Sequence, residues 1–118
     1  MAQYRISAPA QSDIVDILRY SQTQFGAAAR QRYQQLIIVA LEGIAASPHR
    51  IGSSFRDEIA PGLRSIHLFH WRNHAVTPAD IVQKPRHIIF YRLADDKVIE
   101  VVRLLHDAME VKLHLPED

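Results

Sequence analysis

Apolar and polar residues alternate at the start of the chain: Tyr4, Ile6 and Ala8 interleave with Gln3, Arg5 and Ser7, the period-2 signature of a short strand. The period then changes. Ser7 is placed to cap a helix, Pro9 suits its first turn, and Ile14, Ile17, Leu18, Ser21 and Phe25 recur at helical spacing until Gly26 offers a stop. The spacing predicts a helix over Pro9–Phe25. A second helical stripe follows at once: Ala29, Tyr33, Leu36, Ile37, Ala40, Leu41 and Ile44, closed by Ser47 and Pro48. So short a link joins two amphipathic helices as an antiparallel hairpin, and their shared apolar face needs a sheet to cover.

His49 to Gly62 holds Pro61, two glycines and two serines and carries the charged cluster Arg56-Asp57-Glu58, so it reads as a loop. Leu63 to Trp71 reads as a strand. His87 to Leu93 and Val98 to Leu105 are nearly continuous apolar runs around the tight-turn sequence Ala94-Asp95-Asp96-Lys97, which predicts a hairpin at the centre of the sheet. Trp71 to Pro85 is longer than a minimal hairpin link and reads as either a basic loop or a strand extension. After His106, Met109 and Leu113 fall at helical spacing and suggest a short C-terminal helix. The predicted architecture is α+β: an N-terminal strand, then an antiparallel helical hairpin packed on a mostly antiparallel β-sheet.

The 118 residues, 47% of them hydrophobic, suit a single domain spanning 1–118 with a modest core. Cysteine is absent, which excludes disulfides, thiolate nucleophiles and cysteine-bound zinc. The longest apolar run, Leu36–Leu41, is far too short to span a bilayer, and the opening residues do not resemble a signal peptide. A cytoplasmic protein with no membrane partner is expected. The formal net charge of +1 conceals a segregation. Between Ala60 and Ala94, Arg64, Arg72, Lys84, Arg86 and Arg92 face only Asp80, a local +4 that leaves −3 for the remainder. Eleven of the fourteen basic residues are arginine, whose forked guanidinium suits carboxylates and phosphates.

Candidate chemistry is sparse. His67, His70 and His74 lack ligand spacing for a metal, since strand residues three apart point to opposite faces, and no carboxylate completes a set. Asp13 and Asp16 sit near the start of the first helix, where the helix dipole accounts for them. No glycine-rich phosphate loop or nucleophile elbow is present, so neither cofactor, metal nor catalytic residue is assigned. Arg92 and Arg103 lie inside apolar runs, where charges need partners. Either an acid such as Glu100 pairs with them, or an open sheet face presents Arg64, Arg92 and Arg103 to an anionic partner.

Taken in order, Tyr4–Ala10 with Asp13, Ile14 and Ile17, Tyr20, Phe25-Gly26, Tyr33, Pro61–Ser65, His87–Arg92 and Ile99–His106 with Met109 resemble the ParE toxins of bacterial type II toxin–antitoxin systems, within the wider RelE/ParE superfamily. The resemblance runs nearly end to end. It implies the fold inferred above and a growth-inhibiting toxin neutralised by a ParD-like ribbon-helix-helix antitoxin. ParE-branch members are associated with poisoning DNA gyrase; RelE-like relatives instead cleave mRNA on the ribosome, and a non-toxic antitoxin-binding relative is a further alternative. RNA cleavage needs groups to activate the ribose hydroxyl, stabilise the phosphorane and protonate the leaving oxygen. The tail lacks the tyrosine frequent in RelE-like nucleases, and His106, three residues after Arg103, faces away from it in an unbroken strand. A non-enzymatic gyrase inhibitor is therefore expected, with Arg64, Arg92, Arg103, His106, Met109 and Lys112 as candidates for contacting target or antitoxin. Sequence-specific DNA binding by this chain alone is not expected. The margin between helices and sheet offers a groove, and the local +4 predicts an acidic, amphipathic partner segment.

Overall fold

The computed structural model describes residues 3–74 and 81–109. Strand β1 (Tyr4–Ile6) leads directly into helix α1 (Ala8–Phe25), and Ser7 makes the join. Its hydroxyl accepts the Ala10 N–H (3.2 Å) as N-cap and donates to the Val102 carbonyl (2.9 Å), so one side chain both starts the helix and ties it to the sheet. Gly26 alone separates α1 from helix α2 (Ala27–Ala46). With φ +94° and ψ 173° it occupies backbone space open essentially only to glycine, and it reverses the chain in one residue.

Strands β2 (Ser54–Phe55), β3 (Arg64–His67), β4 (His87–Leu93) and β5 (Ile99–His106) complete a five-stranded sheet of order β1-β5-β4-β3-β2. Only the β1–β5 pair is parallel. The predicted hairpin is β4–β5, next to the sheet's middle, and Lys97 takes a positive φ of 66° in its turn. Opposite Phe90 and Tyr91 the register jumps from Arg103 to Val101, which leaves Val102 as the extra residue of a β-bulge.

Both faces of this hairpin are covered. Ile89, Tyr91, Ile99, Val101 and Leu104 pack against Leu18, Leu36, Ile37, Ala40, Leu41 and Ile44 of the helices. On the other face, Phe90 and Leu105 pack with Leu63 and Ala60, brought over by the 56–63 turn. That double cover explains the continuous apolar runs.

Two expectations need correction. The strand beginning near Leu63 ends at His67, and Leu68–His74 forms a 3-10 segment that buries Leu68 and Trp71 against α2. Its i,i+3 geometry brings Leu68 and Trp71 to one side, which the mixed sequence pattern did not reveal. The 49–62 stretch, read as loop, holds the two-residue strand β2, too short for periodicity to register. Residues 75–80 of the long Trp71–Pro85 segment and residues 110–118, including Lys112 and most of the expected C-terminal helix, lie outside the described residues. Among the described residues no helix is long and apolar enough to cross a membrane.

Candidate functional site

The three arginines singled out from the sequence are each spent on an internal contact, and the fold does not gather them on one face. Arg64 pairs in register with Tyr91, so it lies on the helix side of the sheet, 8% exposed, with its guanidinium 4.3 Å from the Phe55 ring centroid and its Nε donating to Ser53 Oγ (2.8 Å). Arg92 stands on the opposite face beside its cross-strand partner Glu100, with Nη2 and Nε at 2.8 and 2.9 Å from Oε1. Arg103, next to the bulge, turns to α1 and grips Asp13 with two donors: Nε to Oδ2 at 2.7 Å and Nη2 to Oδ1 at 2.9 Å. Asp13 Oδ2 also accepts the Leu104 N–H (3.0 Å), capping the edge of β5 that β1 is too short to pair. Asp13 is thus an ion-pair partner beyond the first turn of α1, and the helix-dipole explanation gives way to this one.

The other acidic neighbours follow the same pattern. Arg5–Asp96 and Arg56–Glu58, each at 2.7 Å, join Arg92–Glu100 in neutralising the face away from the helices.

What the tertiary structure does assemble is a groove of about 710 Å³ between the helical hairpin and the ends of β4 and β5. Ile17, Tyr20 and Phe25 of α1 and Ala29 of α2 supply apolar surface. Tyr20 and Phe25 remain 63% and 71% exposed, their rings edge to face at 6.5 Å. Exposed aromatic surface of this kind marks an interaction site more often than a defect. Arg32, Lys84 and Arg86 stand on its wall against Asp16, giving the groove a positive balance.

The groove's inner end is a hydrogen-bonded cluster. The Tyr33 hydroxyl accepts the Arg86 N–H (3.1 Å) and lies 2.6 Å from His87 Nδ1. Burial, helped by the nearby His106, pushes the His87 imidazole down to about 4, and burial raises the Tyr33 phenol to about 12. A neutral imidazole facing a protonated phenol forms one hydrogen bond, whose donor is set by the imidazole tautomer. His106 crosses His87 edge to face, ring centroids 5.5 Å apart, and its Nδ1 accepts the Ala108 N–H (3.1 Å). Beside them Arg86 forks onto Asp107, with Nη2 to Oδ1 at 3.0 Å, and His67 Nε2 donates to Oδ2 at 3.0 Å while its Nδ1 accepts the Phe69 N–H. Those two bonds hold the Asp107 carboxyl down to about 2. Met109 follows, 38% exposed, its N–H bonded to the His106 carbonyl (3.0 Å).

Among the described residues no group of three or more histidine, aspartate or glutamate side chains could hold a metal ion. Of the sequence candidates among the described residues only His106 lines the groove; Tyr20, Phe25, Arg32, Tyr33, Lys84, Arg86 and His87 were not candidate site residues. The helical stripe did mark Phe25 and Tyr33 as apolar-face residues. No pattern told that their ends of the helices overhang the sheet.

Residues 4–111 match the family model described as the ParE toxin of the type II toxin–antitoxin system, parDE. Curated relatives align almost end to end. Toxin ParE1 of Mycobacterium tuberculosis is 29% identical over 114 residues, 97% of this chain and 98% of its own length. Toxin ParE1 of Caulobacter vibrioides is 30% identical over 115 residues, 98% and 99% of the two chains.

Proposed function

Because the chain belongs to the ParE toxin family of type II toxin–antitoxin systems, we propose that it stops growth in the cytoplasm by binding DNA gyrase, without cutting RNA, and that a ParD-like antitoxin neutralises it. The observation that carries the choice between binding and cleavage is the state of the arginines. A phosphorane needs a cation free to meet charge as it develops. Arg92 and Arg103 are held by Glu100 and Asp13, and His106 Nδ1 is taken by a backbone N–H. Chemistry at this set would first have to break contacts that hold the fold.

A binding protein needs instead a surface that is apolar, concave and charged at its rim. The groove meets that description. An acidic amphipathic antitoxin helix would lay its apolar side on Tyr20 and Phe25 and its carboxylates on Arg32 and Lys84.

Controlled expression without the antitoxin tests the target. Arrested growth with impaired supercoiling and intact mRNA is expected. Cleaved transcripts with normal supercoiling would overturn the gyrase reading in favour of a ribonuclease, and healthy growth of cells holding folded protein would make the chain an antitoxin-binding relative without toxicity.

A further inference from the structure

Arg64 is a cation buried without an anion among the described residues. No carboxylate of the described residues lies within 4.0 Å of its guanidinium. Its Nε donates to Ser53 Oγ, Ser53 lies against the Tyr91 hydroxyl, and that hydroxyl donates to the Pro48 carbonyl (2.6 Å), so the relay ends on a neutral oxygen. Nη1 of Arg64 is buried with no hydrogen-bond partner among the described residues. Burying a charge in this condition is costly unless a counter-charge arrives. The Phe55 ring, 69% exposed, lies over the guanidinium.

Phe55 belongs to β2, the outer strand of the sheet. Arg56 N–H bonds to the Leu63 carbonyl (2.8 Å) and Ser54 pairs with Ser65, so by alternation the N–H and C=O of Phe55 point away from β3, toward the open edge. Ile51, 95% exposed, stands just before this strand. An unpaired edge, two exposed apolar side chains and a buried cation lacking its anion therefore meet in one place.

We infer that the β2 edge is a second docking surface for the antitoxin, taking an extended segment that pairs with Phe55, covers Ile51 and places an aspartate or glutamate carboxylate on Arg64. The inference rests on the antitoxin being the partner, and it extends that partner's footprint beyond the helical groove. Extended segments bind open sheet edges through main-chain bonds, and a guanidinium fork fixes a carboxylate in register. The same free edge in the unbound chain would be a liability to self-pairing, which a two-residue strand keeps small.

The test uses the full chain and its cognate antitoxin. Amide hydrogen exchange at Phe55 is expected to slow about tenfold or more in the complex. Arg64→Gln should weaken antitoxin binding about thirtyfold, the usual loss when one member of a buried charge pair is removed. Its free chain should melt no lower than the parent, because an uncompensated buried charge has gone; a merely structural arginine would lower that melting temperature. Ile51→Asp, on a fully exposed side chain, keeps the fold and should weaken binding through lost apolar contact and charge repulsion. If the antitoxin binds and Phe25→Asp in the groove loosens it, while Phe55 exchange and both edge variants behave as the parent does, this inference is wrong and the groove reading stands. Edge variants that lose toxicity but bind antitoxin normally would assign the edge to the target and overturn it too. Failure of the parent chain to bind the antitoxin at all would remove both readings.

Discussion

Asp13 shows how much one side chain can hold. Its two oxygens take a fork from Arg103 and an N–H from Leu104, joining α1 to the unpaired stretch of β5 at a partly buried point. Asp13→Ala removes the acceptor of two guanidinium bonds and of the Leu104 N–H and should cost about 3 kcal/mol in urea unfolding, well above the typical effect of removing an exposed ion pair. His87 makes a different demand. Its imidazole is held down to about 4 by burial, so it stays neutral in the fold while the unfolded chain takes up a proton below about 6.5. Stability is therefore full above that value and falls as pH drops toward 4, by up to about 3 kcal/mol. Asp107, held down to about 2 chiefly by Arg86, loses its contribution in a separate, lower window, between its ordinary carboxylate range and 2. Acid titration monitored by circular dichroism should show both stages, and His87→Gln should remove the upper one alone.

At the scale of elements, periodicity carried the helices because each has one apolar stripe and a clear stop. Ser7, Pro9 and Gly26 mark α1 in the sequence as they do in the structure. The same stripe does not say what α2 packs on beyond the sheet. Gly43 lies against the Trp71 indole so closely that a Cβ there would strike the ring nitrogen. This close approach, and not helix propensity, accounts for a glycine late in α2. Gly43→Ala, which should stabilise an isolated helix, is expected here to destabilise the protein by about 1–3 kcal/mol and to shift Trp71 fluorescence as the 3-10 segment is pushed off. An unchanged melting temperature and emission maximum would contradict that packing. The bulge at Val102 was equally silent in the sequence, since one extra residue in an apolar run leaves the run apolar.

For the molecule as a whole, the charge segregation seen along the chain turns out to be distributed over several places. The basic residues between Ala60 and Ala94 part company in space: Lys84 and Arg86 border the groove, Arg92 is neutralised on the far face, and Arg64 is buried at the β2 edge. Arg32 of α2, outside that stretch, joins the groove instead. If these groove cations attract an acidic helix, Arg32→Glu combined with Lys84→Glu should lower antitoxin affinity at least tenfold and flatten its dependence on salt, because screening acts on the charges that were reversed. Binding measured across a range of ionic strength decides this; equal slopes for parent and variant would remove electrostatics from the recognition.

The order of residues determined, by itself, the α+β class, both helices with their caps, the central hairpin and the resemblance that placed the chain among ParE toxins. These are local periodicities and ordered motifs, which survive in one dimension. It also showed that Arg92 and Arg103 needed partners, and Glu100 was within reach of that reasoning. Only the tertiary structure decided that Arg103 meets Asp13, ninety residues away, that Arg64 lies under Phe55 with no anion among the described residues, and that Tyr20, Phe25, Arg32 and Lys84 share a groove. Such facts depend on which faces of distant elements come together, and a period of 2 or 3.6 specifies a face without specifying what it will meet.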